Sequence, residues 1–125
     1  MEVSTPNPTL RAQFPDGVFP ANCPSRVLLD HVTSKWGVLV LVALSEGPQR
    51  WSELRRRAQG ISEKMLAQTL KTLERDGLVH RDAHPVIPPR VDYSLTPRGT
   101  ELTALMVPLM TWVAEHAERG LSAPA

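Results

Sequence analysis

The chain has 125 residues, a formal net charge of +1, 42% hydrophobic residues, twelve prolines and one cysteine. That length makes one domain with tails, enough to enclose a real core. The lone Cys23 excludes an internal disulfide and, with no paired histidines, leaves neither a metal site nor a cofactor site expected. The first 22 residues, with Pro6, Pro8, Pro15 and Pro20, read as an extended or disordered arm. A main domain is expected over 23–119 and a frayed tail over 120–125. Cys23-Pro24-Ser25 reads as a helix start with Pro24 at the first helical position, and Val27, Leu28 and His31 follow. KWGVLVLVALS, from Lys35 to Ser45, is apolar nearly all round. Its length and its end at Glu46-Gly47-Pro48 predict a central buried helix with Trp36 as a core anchor.

SELRRRA, from Ser52 to Ala58, predicts a short helix capped by Ser52. Leu54 and Ala58 face inward, while Arg55, Arg56 and Arg57 spread around it. GISEKMLAQTLKTLERDGLV, from Gly60 to Val79, is the most informative stretch. Ile61 and Leu66 bracket Ser62 as a hydrophobic staple around an N-cap. Leu66, Leu70 and Leu73 recur at helical spacing, and Met65 with Leu66 is expected to anchor the helix start. Gly77 stands where a left-handed residue ends a helix. The other side carries Lys64, Gln68, Lys71, Thr72 and Arg75, a face suited to the DNA major groove. Helix, short turn and longer helix make a helix-turn-helix.

Leu78 to Ala83 and Arg90 to Leu95 predict a hairpin. The segment HPVIPP between them is stiffened by three prolines, so it forms a tip rather than a strand. A hairpin directly after a recognition helix is a wing, with Arg81, His84 and Arg90 on or near it. Thr96-Pro97 restarts a helix, with Thr96 as N-cap. Along it Leu102, Leu105, Met106, Leu109, Trp112, Val113 and His116 form a long apolar stripe, and a bend is expected near Pro108. The stripe points to a partner helix, so Leu105, Leu109 and Trp112 are the candidate dimer interface. The fold class expected is mainly α with a small β-hairpin (α+β): a winged helix-turn-helix with extra terminal helices for dimerisation.

Charge is unevenly placed. From Arg50 to Arg98 there are ten Lys/Arg against six Asp/Glu, a net +4; elsewhere four against seven give −3. The positive field thus follows the candidate DNA-binding elements. Ser62, Lys64, Ala67, Gln68 and Lys71 are the candidate contacts on the recognition helix, with Arg55, Arg56 and Arg90 as phosphate contacts. An enzyme is disfavoured, with no catalytic residues assigned: His31, His80, His84 and His116 are scattered and no Gly-rich phosphate loop is visible. A winged helix used only for protein contacts is the other rival; it would tend to present an acidic or apolar groove-facing helix. No apolar run reaches the roughly 18 residues of a membrane helix. The start lacks the basic-then-apolar order of a signal peptide. A cytoplasmic protein without a membrane partner is therefore expected.

These residues resemble the HxlR-type family of bacterial transcriptional regulators, which are winged-helix proteins. The resemblance runs from Cys23 to about His116. It rests on CP at Cys23, KWG at Lys35 to Gly37, WSELRRR from Trp51, the GISEKML…LERDGLV block, PPRVDYSLTPRG from Pro88 to Gly99, and the late Trp112. Trp51 and the DHVTS segment vary from the usual pattern. The resemblance implies a homodimer that binds double-stranded operator DNA through the helix-turn-helix and wing, with terminal helices at the dimer interface. Some members of that family sense electrophiles or oxidants through a cysteine in the CP position, which Cys23 matches. A thiol at a helix N-terminus suits that chemistry, because the backbone dipole favours thiolate. A small-molecule effector bound in the dimer cleft is the alternative signal, and a packed, unreactive thiol is the alternative role for Cys23.

Overall fold

The computed structural model describes residues 8–122, in the order α1 (Pro8–Gln13), α2 (Pro24–Thr33), α3 (Lys35–Leu44), β1 (Gln49–Arg50), α4 (Trp51–Arg57), α5 (Glu63–Arg75), β2 (Val79–His84), β3 (Arg90–Leu95) and α6 (Pro97–Ser122). The architecture is a winged helix-turn-helix, mainly helical, with a three-stranded antiparallel sheet in the order β1-β3-β2. The sequence leads to a two-stranded hairpin. The added strand, β1, is only two residues long and pairs Gln49 with Tyr93 and Arg50 with Asp92. So short a strand has no periodicity of its own; only its partner strand defines it.

Helix α3 is central and packs against α2, α4, α5 and α6. Val40 and Leu41 are fully buried and Leu44 nearly so, as its continuous apolar sequence requires. Trp36 is half-buried and packs on that core. Ser34 caps α3, its hydroxyl accepting the Gly37 N–H at 3.1 Å. Gly37 is required there, because a Cβ would overlap the His31 carbonyl oxygen. This close approach lets α2 meet α3 at a 71° bend. Among the described residues no single helix is long and apolar enough to cross a membrane.

The expected arm is not uniformly extended where it is described. Residues Pro8–Gln13 form α1, Phe14 and Phe19 stack edge to face at 5.2 Å, and Arg26 donates to the Phe19 carbonyl at 2.7 Å. The aromatic pair and this tether give the segment local contacts that its prolines do not reveal. Residues 1–7 of the arm and 123–125 of the tail lie outside the described residues; helix α6 runs through Ser122.

Helix α4 begins one residue before the expected cap at Ser52. Arg50 is the N-cap, in extended backbone, and its N–H donates to Glu53 Oε1 at 3.0 Å. Pairing of β1 fixes Arg50 as extended, so the helix starts as soon as the strand releases the chain. Leu54 and Ala58 are buried as expected.

Helix α5 follows its sequence closely. Ser62 accepts the Met65 N–H at 3.0 Å, and Ile61 and Leu66 on either side are buried. Leu66, Thr69, Leu70 and Leu73 form the core stripe. Met65, expected as an anchor, is instead exposed; it lies a quarter turn from that stripe, so Leu66 alone holds the start. The helix ends in a Schellman motif. Gly77 has φ +75°, its N–H bonds the Glu74 carbonyl, and the Leu78 N–H bonds the Leu73 carbonyl, both at 3.0 Å.

The same corner starts α6. Thr96 N–H donates to the Leu78 carbonyl at 3.1 Å, its hydroxyl donates to the Gly77 carbonyl at 2.5 Å, and its oxygen accepts the Gly99 N–H at 3.0 Å. Helix α6 is a single element with Pro108 inside it. Its long stripe divides: Met106 and Thr103 are buried and Leu102 packs on the core, whereas Leu105, Leu109, Trp112 and Val113 are exposed.

Candidate nucleic-acid interface

The outward stripe of α5 is set by the inward one. With Leu66, Leu70 and Leu73 buried, residues half a turn away must face solvent. Lys64, Gln68, Lys71 and Arg75 occupy that side, spaced four, three and four apart, and all are exposed. Among the described residues none of Lys64, Lys71 and Arg75 forms an ion pair. Three cations on one helix face therefore keep their full field. Ala67, also exposed, lies on the flank beside the sheet, where it shares a cavity of about 350 Å³ with Trp51, Lys71, Arg81 and Tyr93. Gln68 leans to the other flank, lining a smaller cavity of about 170 Å³ with His31, Ser34 and Thr72. Ser62 sits at the helix entrance, its hydroxyl committed to the cap. The Ser62 Oγ can still accept or donate outward, but its first partner is the backbone.

The arginines of α4 divide. Arg56 is exposed and forms no ion pair among the described residues, Arg55 reaches Glu63 at 3.4 Å, and Arg57 bonds Glu46 at 2.6 Å. Arg55 is thus partly neutralised by the first turn of α5, a pairing across the helix-turn-helix that sequence spacing does not expose. Both partners are open to solvent, so the pair is weak.

On the wing, Val86 and Ile87 stand exposed at the tip, Ile87 completely. Arg90 is not free: it donates Nε and Nη2 to the two carboxylate oxygens of Asp92, each at 3.2 Å. His84 adds a contact to Asp92 at 3.0 Å. The Arg90 hydrogen bonds, foremost, hold the Asp92 carboxyl below its ordinary value; desolvation opposes them, and the His84 hydrogen bond adds to the lowering. Asp92 and Arg75 are residues the sequence reading does not single out as contacts. Arg75 is already on the outward face by its helical spacing from Lys64, though not among the candidate contacts; Asp92 becomes visible only when strand register is known.

Cys23 is half-buried and serves as the N-cap of α2, with no hydrogen bond from its side chain to the helix. It lines an open cavity of about 650 Å³ with Val27, Leu28, Arg75, Asp76 and Arg98. The last turn of α5, the start of α6 and the start of α2 therefore line one cavity together with Cys23. Near it, His31 of α2 bonds the C-cap Asp76 of α5 through Nδ1 at 2.9 Å. Leu105, Leu109 and Trp112 are 72%, 55% and 57% exposed and share one side of α6. Trp112 stacks on His116 with ring centroids 4.2 Å apart.

Comparison with known proteins shows the family and the fold. The model of the HxlR-like helix-turn-helix family matches residues 31–120. The chain is 53% identical over 106 residues to the uncharacterised HTH-type transcriptional regulator YtfH of Escherichia coli strain K12, with 84% of each chain covered. Its structure is similar to that of the transcriptional regulator YtfH from Salmonella typhimurium, with TM-score 0.79 and 49% identity over 85% of this chain and 95% of that one. It is also similar to the redox regulator HypR in its oxidised form, with TM-score 0.69 and 34% identity over 74% and 96% of the two chains. With a staple-capped recognition helix, a wing behind it and matches over most of its length, this chain belongs to the HxlR-like helix-turn-helix family of transcriptional regulators rather than to any class of enzyme.

Proposed function

We propose that this protein is a cytoplasmic, sequence-specific regulator that binds double-stranded operator DNA as a homodimer. The observation that carries this reading is the exposed Lys64–Gln68–Lys71–Arg75 stripe opposite a buried leucine stripe. Helix α5 enters the major groove. Gln68 makes a bidentate contact to adenine, Lys64 reaches guanine or phosphate, and Ala67 allows close approach. Ser62, Lys71, Arg55, Arg56 and Arg90 contact backbone phosphates, which supply affinity and register rather than sequence. The exposed Leu105, Leu109 and Trp112 face is buried against its copy across a two-fold axis, so half-sites lie about one DNA turn, roughly 34–36 Å, apart.

The test is titration of labelled duplex, selected by the protein from a random-sequence pool, at two salt concentrations. Gln68→Ala is expected to cost about 1–3 kcal/mol and to relax base preference at one position of each half-site. Lys71→Ala is expected to weaken all sequences alike and to lower the logarithmic salt slope by about one per contact. Unchanged affinity and selectivity in Gln68→Ala would remove it from base reading.

A specific observation also favours a thiol signal. Cys23 shares its cavity with Arg75 and Asp76 at the end of α5 and with Arg98 at the start of α6. A change at sulfur is therefore next to both the DNA-reading and the dimer-forming helix. The likeness to HypR, a redox regulator, supports the same reading. In it, a peroxide oxidises the Cys23 thiolate to a sulfenic acid with release of hydroxide, a second thiol attacks that sulfur and expels water to form a disulfide, and the change shifts the dimer between arrangements of different DNA affinity.

A further inference from the structure

The outer face of the sheet is organised around one carboxylate. Strand register sets Asp92 of β3 opposite Arg50 of β1 and opposite Asp82 of β2. Side chains alternate along a strand, so His84 and Arg90 share that face. Like charges directly opposite one another are unfavourable, and here Asp82 and Asp92 are so placed. Two arginines offset the repulsion, and His84 stands between the two carboxylates. Arg90 chelates Asp92 through Nε–Oδ1 and Nη2–Oδ2, both 3.2 Å; His84 Nε2 lies 3.0 Å from Asp92 and 3.6 Å from Asp82; Arg50 Nε lies 3.9 Å from Asp92. The Asp92 side chain is 20% exposed and that of Arg90 is 47% exposed. The carboxylate therefore sits beneath the guanidinium.

A guanidinium has five N–H donors in a rigid plane. Asp92 engages Nε and one side of Nη2. The remaining edge has no other partner among the described residues, and the side chain is half exposed. We propose that Asp92 is a positioning residue for DNA binding, clamping Arg90 so that its free edge is presented to a phosphate beside the wing. This rests on the reading that Arg90 contacts DNA. The clamp removes rotamer freedom from a long side chain before DNA arrives, so less is lost on binding.

Two effects of opposite sign make the idea sharp. By charge alone, an aspartate beside the DNA backbone repels it, and removing Asp92 would tighten binding. By positioning, removing Asp92 frees Arg90 and weakens binding. The experiment measures affinity for the pool-selected duplex across a salt series, using wild type, Asp92→Ala, Arg90→Ala and the double variant. A thermal melt of each accompanies it. Asp92→Ala is expected to weaken binding on the order of tenfold and to reduce the salt slope by about one, as Arg90→Ala does. In the Arg90→Ala background Asp92→Ala should cause no further loss, since it has nothing left to position.

Unchanged or tighter binding by Asp92→Ala overturns the proposal. So does a further loss in the Arg90→Ala background, which would mark a purely structural role. If Asp92→Ala melts below the assay temperature, Asp92→Asn replaces it in the same cycle. That variant keeps the shape and one acceptor oxygen, and a partial loss confined to the Arg90 background is expected. If wild type selects no duplex at all, the DNA-binding reading itself has failed and the proposal falls with it; binding by wild type with no loss in Asp92→Ala sinks the proposal alone.

Discussion

Replacing Gly99 with alanine sets two effects of opposite sign against each other. Gly99 lies in the first turn of α6 and is buried against the corner where α5 passes into β2. Helix propensity favours alanine over glycine by about 1 kcal/mol. Packing opposes it. A Cβ at Gly99 would overlap the Leu78 carbonyl oxygen and would stand 3.0 Å from the Leu78 carbonyl carbon and 3.2 Å from Leu95 Cδ2. The oxygen cannot swing aside, because it accepts the Thr96 N–H at 3.1 Å and belongs to the residue that closes the α5 Schellman motif. Relief therefore requires α6 to move away from the corner. Overpacking of this kind costs about 1–3 kcal/mol. Stretching the Thr96 bonds to Gly77 and Gly99 adds about 0.5–1.5 kcal/mol for each bond lost. With both bonds lost and net of propensity, a loss of about 1–5 kcal/mol is expected. A denaturant titration at fixed protein concentration measures it through the midpoint at constant slope. Because α6 also carries the proposed dimer face, DNA affinity should fall at temperatures where the variant remains folded. A Gly99→Ala protein as stable as wild type, or more stable, would refute the packing argument and leave propensity as the dominant effect.

Three further outcomes are expected. The Asp92 carboxyl is held low by Arg90 and His84, so its stabilising contribution is present above the ordinary carboxylate pKa of roughly 3.9 and is lost as pH falls through the lower folded value. The melting gap between wild type and Asp92→Asn should therefore be open at neutral pH and close in strong acid; a gap that persists there contradicts the assignment. Leu109→Glu, at a site 55% exposed, should leave the monomer folded but shift sedimentation from dimer to monomer, whereas a wild type already monomeric at micromolar concentration removes the interface. Cys23→Ser should keep its DNA affinity through oxidant treatment that weakens wild type by about tenfold, equivalent to roughly 1.4 kcal/mol of differential binding; equal responses from both proteins assign Cys23 a packing role only.

Several features were legible in the residues because their causes are local. Ser62 flanked by Ile61 and Leu66, the Leu66–Leu70–Leu73 repeat, Gly77 at the left-handed position and Thr96 before Pro97 each act within a few residues of chain. The structure forms these caps and stops where the sequence places them. The core helix from Lys35 was equally plain, since its apolar run supplies Val40, Leu41, Ala43 and Leu44 to the core, although Leu39 on the same helix stays exposed. The outward face of α5 followed from the inward one.

Other features depend on which distant residues meet. Strand β1 exists because β3 offers it a partner, and with it the α4 cap moves from Ser52 to Arg50. The pairing of Arg55 with Glu63, and of Arg90 with Asp92, depends on helix placement and side-chain geometry, so the free charge on the candidate DNA face could not be counted from composition. The division of the α6 stripe into a buried Met106 side and an exposed Leu105–Leu109–Trp112 side is a matter of which face the core takes up. Periodicity marks residues as apolar together, but burial is a property of the surface they are set against, and only the packed chain supplies that surface.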